Sequence, residues 1–315
     1  MKILFIFISI LFSSCYTISD AFQSFKYKRT EITDILPAGT VKISNNLFID
    51  KTEISNYSYD SFLWYTKRMY GDTSVEYESM LPTFNKKDFY NYFKLGDEEY
   101  YLFHPDYKHN PVINISYHQA LEYGKWRSNR VMEYILIMKK MVKYNFFPIK
   151  ETEFTIEKYF TGNYYHLKPD KSITHYPFYE LPDSITFLKA LRFADSLNKI
   201  NINCCNNNSC TKSLLTLNCF ENYLTKTDTT ILHPTEKTYC DHYVFRGNYK
   251  DDCKKPIITH LLGNVREMTS IPSLTFGGSY IDSCNTINKS YFYTDSVPNY
   301  HTGLRMMCKY KKWVN

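Results

Sequence analysis

The protein has 315 residues, of which 43% are hydrophobic and 22% are charged, so its composition excludes a disordered chain, a collagen and a coiled coil. Its 38 basic and 32 acidic residues are spread along the chain, which argues against a nucleic-acid-binding protein. A chain of this length buries about 75% of its unfolded surface and forms a core without metals or cross-links.

The N-terminus has the pattern of an export signal. Lys2 precedes residues 3–12, which are apolar except for one serine, and this run is too short to span a bilayer. The stretch LFSSC that ends at Cys15 resembles the lipobox of bacterial lipoproteins, in which the cysteine is acylated and becomes the mature N-terminus. We therefore expect residues 1–14 to be a lipoprotein signal peptide, with an ordinary cleaved signal peptide as the alternative.

The other eight cysteines all lie after residue 203, toward the C-terminus. They are Cys204, Cys205, Cys210, Cys219, Cys240, Cys253, Cys284 and Cys308. Once Cys15 is assigned to acylation, an even set remains, and in an exported protein it predicts up to four disulfides whose pairing the spacing does not determine. A metal cluster formed by the first four is the alternative, but it lacks the paired C-x2-C spacing of zinc ribbons.

The predicted elements of the first half are mostly helical. Residues 15–36 are predicted to be the lipidated cysteine and a polar tether, and 47–49 a short strand. Apolar spacing predicts helices over 56–69, with Ser55 or Asn56 as the cap, from Ser116 to about Val142 with one interruption, and over 151–160.

Periodicity weakens in the second half. Residues 161–258 are predicted to be an irregular, cysteine-rich insertion, in which only Ile185–Leu197 has a helical pattern. In the residues that follow, glycines that mark turns between short segments predict strands. Residues 311–315 are predicted to be a basic tail. Helices early and strands late indicate an α+β fold.

Five segments, in order, resemble the formylglycine-generating-enzyme-like family, also called the sulfatase-modifying-factor domain. They are Pro37–Thr40 with Phe48–Asn56, Pro111–Tyr117, Lys150–Phe154, Gly263–Met268, and Phe276–Tyr280 with Thr302–Arg305. The resemblance implies one domain over residues 37–310 with a C-type-lectin-like fold of short strands, a few helices and a long cysteine-rich loop region.

The resemblance also assigns roles to residues inside these segments. Glycines 277 and 278 fit positions of positive φ or close approach, and Trp126 fits a core anchor. Four polar residues of the motifs are expected to form internal hydrogen bonds rather than to act in catalysis: Glu53, Asn56, Glu153 and Arg305.

The enzyme that names this family oxidises a substrate cysteine with copper and oxygen, and two cysteines after the GGSY segment hold the metal. Soft Cu(I) requires thiolates. The two corresponding positions here are Asp282 and Ile287, so we expect no catalytic residues. Cys284 and Cys308, presented by a shifted loop, are the alternative pair, although two cysteines of an exported protein more often form an inert disulfide.

Family members also bind calcium in the loop that corresponds to Gly263–Met268. Gly263, Val265 and Glu267 match three ligand positions, but His260 occupies the fourth, and calcium prefers oxygen ligands. The alternatives are calcium at this loop and a loop held together without metal. Arg266 and Met268 replace two tryptophans of the family pattern, which marks either a surface used by a partner or drift after loss of catalysis.

The expected function is that of a non-catalytic, lipid-anchored structural or assembly protein of the cell envelope, attached by Cys15 and located at the outer membrane. In architecture it resembles the lipoproteins of gliding motility and type IX secretion, which implies protein partners in an envelope complex and no nucleic acid. The second hypothesis is a surface module that binds a ligand or glycan, for which 30 tyrosines offer amphipathic contacts. The third is a copper-dependent oxidase.

Overall fold

The computed structural model describes residues 27, 30–83, 98–103, 105–145, 147–204, 258–287 and 290–314. The α-helices of this part are α1 (Asn56–Tyr70), α2 (Val75–Glu78), α3 (Glu98–Phe103), α4 (Tyr117–Met138), α5 (Ile156–Phe160), α6 (Ser184–Cys204) and α7 (Cys284–Ile287). The strands are β1 (Thr40–Ser44), β2 (Leu47–Asp50), β3 (His175–Glu180), β4 (Arg266–Met268), β5 (Leu274–Phe276), β6 (Phe292–Thr294), β7 (Thr302–Gly303) and β8 (Met307–Lys312). The prediction of an α+β fold is confirmed.

The strands form two four-stranded sheets. The first has the order β1-β2-β8-β3 with antiparallel pairing throughout, and the second has the order β6-β5-β4-β7, in which β4 and β7 are parallel. Phe48 of β2 and Tyr179 of β3 both lie opposite Cys308, so β8 occupies an inner position of the first sheet.

The first sheet is covered on both faces. Side chains of β2, β3 and β8 join those of α1 and α4 in the larger core cluster, whereas Val41 and Ile49 face α6 in a second cluster. Phe187 of α6 stacks on Phe276 of β5 with ring centroids 4.4 Å apart, which connects this second cluster to the second sheet. All four residues of β2 are buried, as expected for a strand between two layers.

The two long N-terminal helices begin where the sequence predicts. The side chain of Ser55 accepts a hydrogen bond from the backbone N–H of Ser58 and caps α1. Ser116 forms a capping box with Gln119 at the start of α4, which then runs without the predicted interruption to Met138.

The edge strand β3 is protected against further pairing. Ser128 of α4 accepts a hydrogen bond from the Tyr179 N–H at 2.8 Å, and Gly124 lets the helix approach so closely that a Cβ there would lie 3.0 Å from the Tyr179 carbonyl oxygen. Pro177 contributes no backbone donor. Helix α4 therefore covers part of the edge that β3 would offer to another strand.

Several predicted boundaries differ from the structure. The range 161–258 is not irregular in its described part, because residues 161–204 contain β3 and α6. The predicted tether overlaps the domain, since Ile32 and Ile35 are buried in the larger core cluster. The predicted tail overlaps β8, which extends to Lys312, and Trp313 stacks on Phe160 at 4.9 Å.

The helix predicted over 151–160 is divided. Lys150–Thr152 forms a short 3-10 turn, and Thr155 then caps α5 by accepting a hydrogen bond from the Lys158 N–H. A separate cap inside the predicted range starts a new helix instead of continuing the first. In the described part of the chain, no helix is long and apolar enough to cross a membrane.

Candidate functional site

The turn after β5 requires glycine at two successive positions. Gly277 and Gly278 have φ of 95° and 73°, in the left-handed region. A Cβ at Gly277 would lie 2.5 Å from the carbonyl oxygen of Leu261, and a Cβ at Gly278 would lie 2.5 Å from Cγ1 of Ile287. The predicted need for positive φ and close approach is confirmed at both positions.

A network of charged side chains lies directly after this turn. The guanidinium of Arg266 donates to both carboxylate oxygens of Asp282, at 3.0 and 2.5 Å, and to Asp295 at 3.1 Å. It also lies 4.6 Å from the ring centroid of Tyr293. The backbone N–H and hydroxyl of Ser279 both donate to Asp282 at 2.7 Å. Asp282 is therefore held by four hydrogen bonds.

The network keeps both carboxylates ionised. Burial opposes the ionisation of Asp282, but the hydrogen bonds and charge of Arg266 and the hydrogen bonds from Ser279 outweigh it, so the pKa of Asp282 lies below its ordinary value. Asp295 is also partly buried, and hydrogen bonds from His301 and Thr302 together with Arg266 lower its pKa to about 2. The cluster is a set of satisfied ion pairs rather than a group of activated acids or bases.

Ile287 ends the short helix α7 and is completely buried. Its side chain fills the space over Gly278. An aliphatic side chain in this position offers no ligand to a metal and no group for proton transfer.

A second group of polar side chains, Glu267 of β4 and Arg305, is fully buried. Oε1 of Glu267 accepts a hydrogen bond from Nε of Arg305 at 2.8 Å and lies 2.7 Å from Nη2 of the same guanidinium, while Oε2 has no hydrogen-bond partner. Arg305 also donates to the carbonyl oxygens of Asp50 and Thr259. Burial raises the pKa of Glu267 to about 7, although the charge of Arg305 opposes this shift.

Glu53 connects this buried group to the loop before β4. Its Oε2 accepts a hydrogen bond from Asn264 at 2.8 Å, its Oε1 accepts one from the Val265 N–H at 3.3 Å, and Nδ1 of His260 lies 3.5 Å from Oε2. Glu53 thus fixes the conformation of the loop.

One protein-family model matches most of the chain. The model of the sulfatase-modifying factor enzyme 1-like domain matches residues 20–307. The chain belongs to the sulfatase-modifying factor enzyme 1-like domain family. No curated protein and no solved structure matches the chain. The match begins inside the range predicted as a tether, in agreement with the buried Ile32 and Ile35.

The two positions at which the resemblance places copper-binding cysteines are thus both occupied by side chains with structural contacts. Asp282 binds Arg266, itself at a position where the family pattern has tryptophan, and Ile287 packs against Gly278. A carboxylate engaged with a guanidinium and an isoleucine do not provide the thiolates that Cu(I) requires. The residues at these two positions do not fit the copper ion of the family.

The alternative pair of thiols receives no support from the position of Cys308. This residue lies in β8 in the core of the first sheet, is not part of a disulfide, and burial raises the pKa of its thiol well above the ordinary value. The backbone of Cys284 begins α7 and that of Cys204 ends α6. Their side chains and the other candidates lie outside the described residues, namely Cys15, Cys205, Cys210, Cys219, Cys240 and Cys253.

The residues predicted as calcium ligands are neighbours in the chain, but they do not fit the ion. Gly263, Val265 and Glu267 lie on one loop and the strand that follows it. However, the guanidinium of Arg305 places a positive charge directly on the Glu267 carboxylate, and His260 provides a nitrogen where an oxygen is required. Among the described residues, no group of three or more His, Cys, Asp or Glu side chains is arranged to hold a metal.

The predicted internal roles of the motif residues are confirmed for Glu53, Arg305 and Asn56, whose Nδ2 donates to the carbonyl oxygens of Tyr101 and Tyr107. Glu153 accepts a hydrogen bond from Tyr65 at 3.3 Å but is half-exposed. Trp126 packs on Phe62, Tyr65 and Tyr123 and is also half-exposed rather than a fully buried anchor.

The buried ion pair between α4 and β2 was not predicted from the sequence. Arg127 donates to both carboxylate oxygens of Asp50 at 2.7 Å, and neither side chain is exposed. The guanidinium also lies 4.2 Å from the ring centroid of Tyr179. The sequence did contain a signal for this buried pair. Arg127 lies four residues after Tyr123 and therefore on the apolar face of the predicted helix.

Proposed function

We propose that this chain is a non-catalytic member of its family, with the C-type-lectin-like variant of the fold, and that it acts as a lipid-anchored structural or assembly protein outside the cytoplasm. The Arg266–Asp282 ion pair carries the proposal. Together with Ile287, it fills the two positions at which the resemblance places the copper thiolates. The lipobox-like stretch that ends at Cys15 supports the anchor.

The absence of catalysis is tested by copper binding. We expect the reduced, purified chain, mixed with Cu(I) and a sulfatase-type peptide that contains a cysteine, to retain no stoichiometric copper and to consume no oxygen. A formylglycine-generating enzyme treated in parallel is the positive control. Stoichiometric copper that is lost in Cys284→Ser but kept in Cys308→Ser would contradict the proposal, because it would identify a thiolate site near the replaced positions.

The anchor and the assembly role are tested in one experiment. Cells that express the wild-type chain or Cys15→Ser are grown with a fatty-acid probe, and their membranes are crosslinked before the chain is purified. We expect the probe on the wild type and on Cys308→Ser but not on Cys15→Ser. An unlabelled wild type would refute the anchor.

The narrower part of the proposal is a place in a gliding-motility or type IX secretion complex on the outer membrane. It predicts that components of that machinery are recovered with the crosslinked wild-type chain and that deletion of the chain impairs secretion. Recovery of none of these components, with secretion unchanged after deletion, would refute it.

A groove beside α4 favours a second candidate function, that of a ligand- or glycan-binding module. The groove has a volume of about 860 Å³ and is lined by Tyr65, Tyr70, Trp126, Asn129 and Glu157, among others. Aromatic rings stack on the apolar faces of sugars, and carboxylates and amides bind hydroxyl groups. Binding of the purified chain to an immobilised glycan in the presence of EDTA would favour this candidate over assembly.

A further inference from the structure

One region of the surface combines exposed aromatic rings with basic side chains. It is formed by Trp64, Arg68 and Tyr70 of α1 and by Phe147 and Lys150 of the segment that follows α4, in which Lys143 is also exposed. We call it the basic–aromatic surface. Trp64 is 57% exposed and Phe147 is 73% exposed, which are large exposed fractions for residues of this size.

The two parts of this surface contact each other. The guanidinium of Arg68 lies 5.8 Å from the ring of Trp64 and 5.2 Å from the ring of Phe147, and its Nε donates to the Pro148 carbonyl at 3.2 Å. Lys150 extends over the ring of Tyr70 at 4.9 Å. The end of α1 and the segment after α4 therefore form a continuous patch and not separate exposed residues.

The segment after α4 contributes basic charge to this patch. The stretch 139–150 contains four lysines and no acidic residue, and three of the lysines are exposed, since only Lys139 is buried. Carboxylates lie at the Tyr70 side of the patch, where Glu153, Glu76 and Glu122 act on the tyrosine. Aromatic rings favour the headgroup level of a bilayer, and basic side chains extend their apolar stems there while their charges contact anionic lipids. Each basic residue close to an anionic membrane strengthens the binding about fivefold.

The tether from Cys15 reaches the domain at the first residue of the same stretch. Nζ of Lys139 donates to the carbonyl oxygens of Tyr27 and Thr30, at 2.9 and 2.6 Å, and the ring of Tyr27 packs edge-on against Tyr134. The chain from Cys15 to Tyr27 spans at most about 40 Å when fully extended. A bilayer that holds Cys15 therefore stays close to this end of α4, at a high effective concentration.

We propose that the basic–aromatic surface lies against the anionic lipid bilayer that carries the acyl groups of Cys15. This inference rests on the proposed lipid anchor and adds a second membrane contact made by the folded domain. It also orients the domain. Helix α4 has 22 residues and a length of about 33 Å. Tyr117 at its other end donates to the Ser270 carbonyl, so the β4–β5 turn is directed away from the bilayer.

The test uses the full mature chain with Cys15→Ser, so that no acyl group contributes to binding. We expect this chain to sediment with phosphatidylcholine vesicles that contain phosphatidylglycerol, to bind less at high salt, and to bind weakly to phosphatidylcholine alone. Phe147→Ser should reduce binding about tenfold or more, because the ring no longer leaves water. Lys143→Glu should also reduce it, but only on the anionic vesicles.

The matched control is Ile271→Ser, since Ile271 is 54% exposed and lies at the opposite end of α4. It should leave vesicle binding unchanged, and unfolding in urea should show that all variants are folded. Failure of the Cys15→Ser chain to bind anionic vesicles, or equal loss of binding in Ile271→Ser and Phe147→Ser, would overturn the inference. The lipid anchor is tested by a separate result. A wild-type chain that the fatty-acid probe does not label would refute lipidation without changing the outcome of the vesicle experiment.

Discussion

Replacement of Arg305 by methionine is expected to lower the free energy of unfolding by about 3–5 kcal/mol, because it leaves the carboxylate of Glu267 buried without its charge partner. The carbonyl oxygens of Asp50 and Thr259 lose a donor in the same variant. Unfolding in urea, followed by intrinsic fluorescence, measures the change. Lys125→Met is the control, since Lys125 and Glu122 form an exposed pair at 3.8 Å that contributes at most about 1 kcal/mol.

The loss in Arg305→Met should depend on pH. Burial already raises the pKa of Glu267 to about 7, and removal of the guanidinium raises it further. A carboxyl whose pKa is higher in the folded state favours folding in its protonated form, so the variant should be less impaired at pH 5 than at pH 8. Replacing both partners, Arg305→Met with Glu267→Leu, should recover part of the stability. A loss no greater than that of Lys125→Met would contradict the buried ion pair.

Gly277→Ala is the second substitution with a large expected effect. Its φ of 95° costs an alanine roughly 1–3 kcal/mol, and the new Cβ would meet the Leu261 carbonyl oxygen at 2.5 Å, which adds a steric cost of about the same size. Because the neighbour is backbone, the clash is not relieved by a side-chain rotation. The turn also positions Ser279, which donates twice to Asp282.

Gly71→Ala separates the two costs of this substitution. Gly71 has a φ of 99°, but a Cβ at this position would meet no neighbouring atom within 4 Å, so an alanine there has only the conformational cost. We expect Gly277→Ala to lower the free energy of unfolding clearly more than Gly71→Ala in the same urea titration. Equal losses of unfolding free energy in the two variants would show that the backbone at Leu261 moves to accommodate the new Cβ. Close packing against this carbonyl would then be unimportant for stability.

Local signals predicted much of the helical part of the fold. Ser55 and Ser116 precede apolar periodic segments, and both cap the helices that the sequence indicates. Strand β3 was not predicted, because its partner β8 lies more than a hundred residues away and the pattern HYPFYE contains a proline. The strand tolerates that proline because it lies at the edge of the sheet. No local pattern in the sequence reveals this edge position.

The candidate site was predictable in its residues but not in its contacts. The resemblance identified Asp282 and Ile287 as the residues at the copper positions, and Arg266 as an exchanged tryptophan. The sequence did not reveal that Arg266 and Asp282 bind each other, since they are 16 positions apart across β4, β5 and a turn. Two exchanges that introduce opposite charges, one in the segment Gly263–Met268 and one just after Phe276–Tyr280, were the signal for this pair.

The inner position of β8 also determines when the domain gains its stability during synthesis. Asp50 accepts a hydrogen bond from the Met306 N–H, 256 positions further along the chain, and β8 follows at once to pair with both β2 and β3. The first sheet therefore stays incomplete until this stretch has emerged. On the proposed export route this order is an advantage, because the contacts that complete the sheet form only after most of the chain has crossed the membrane.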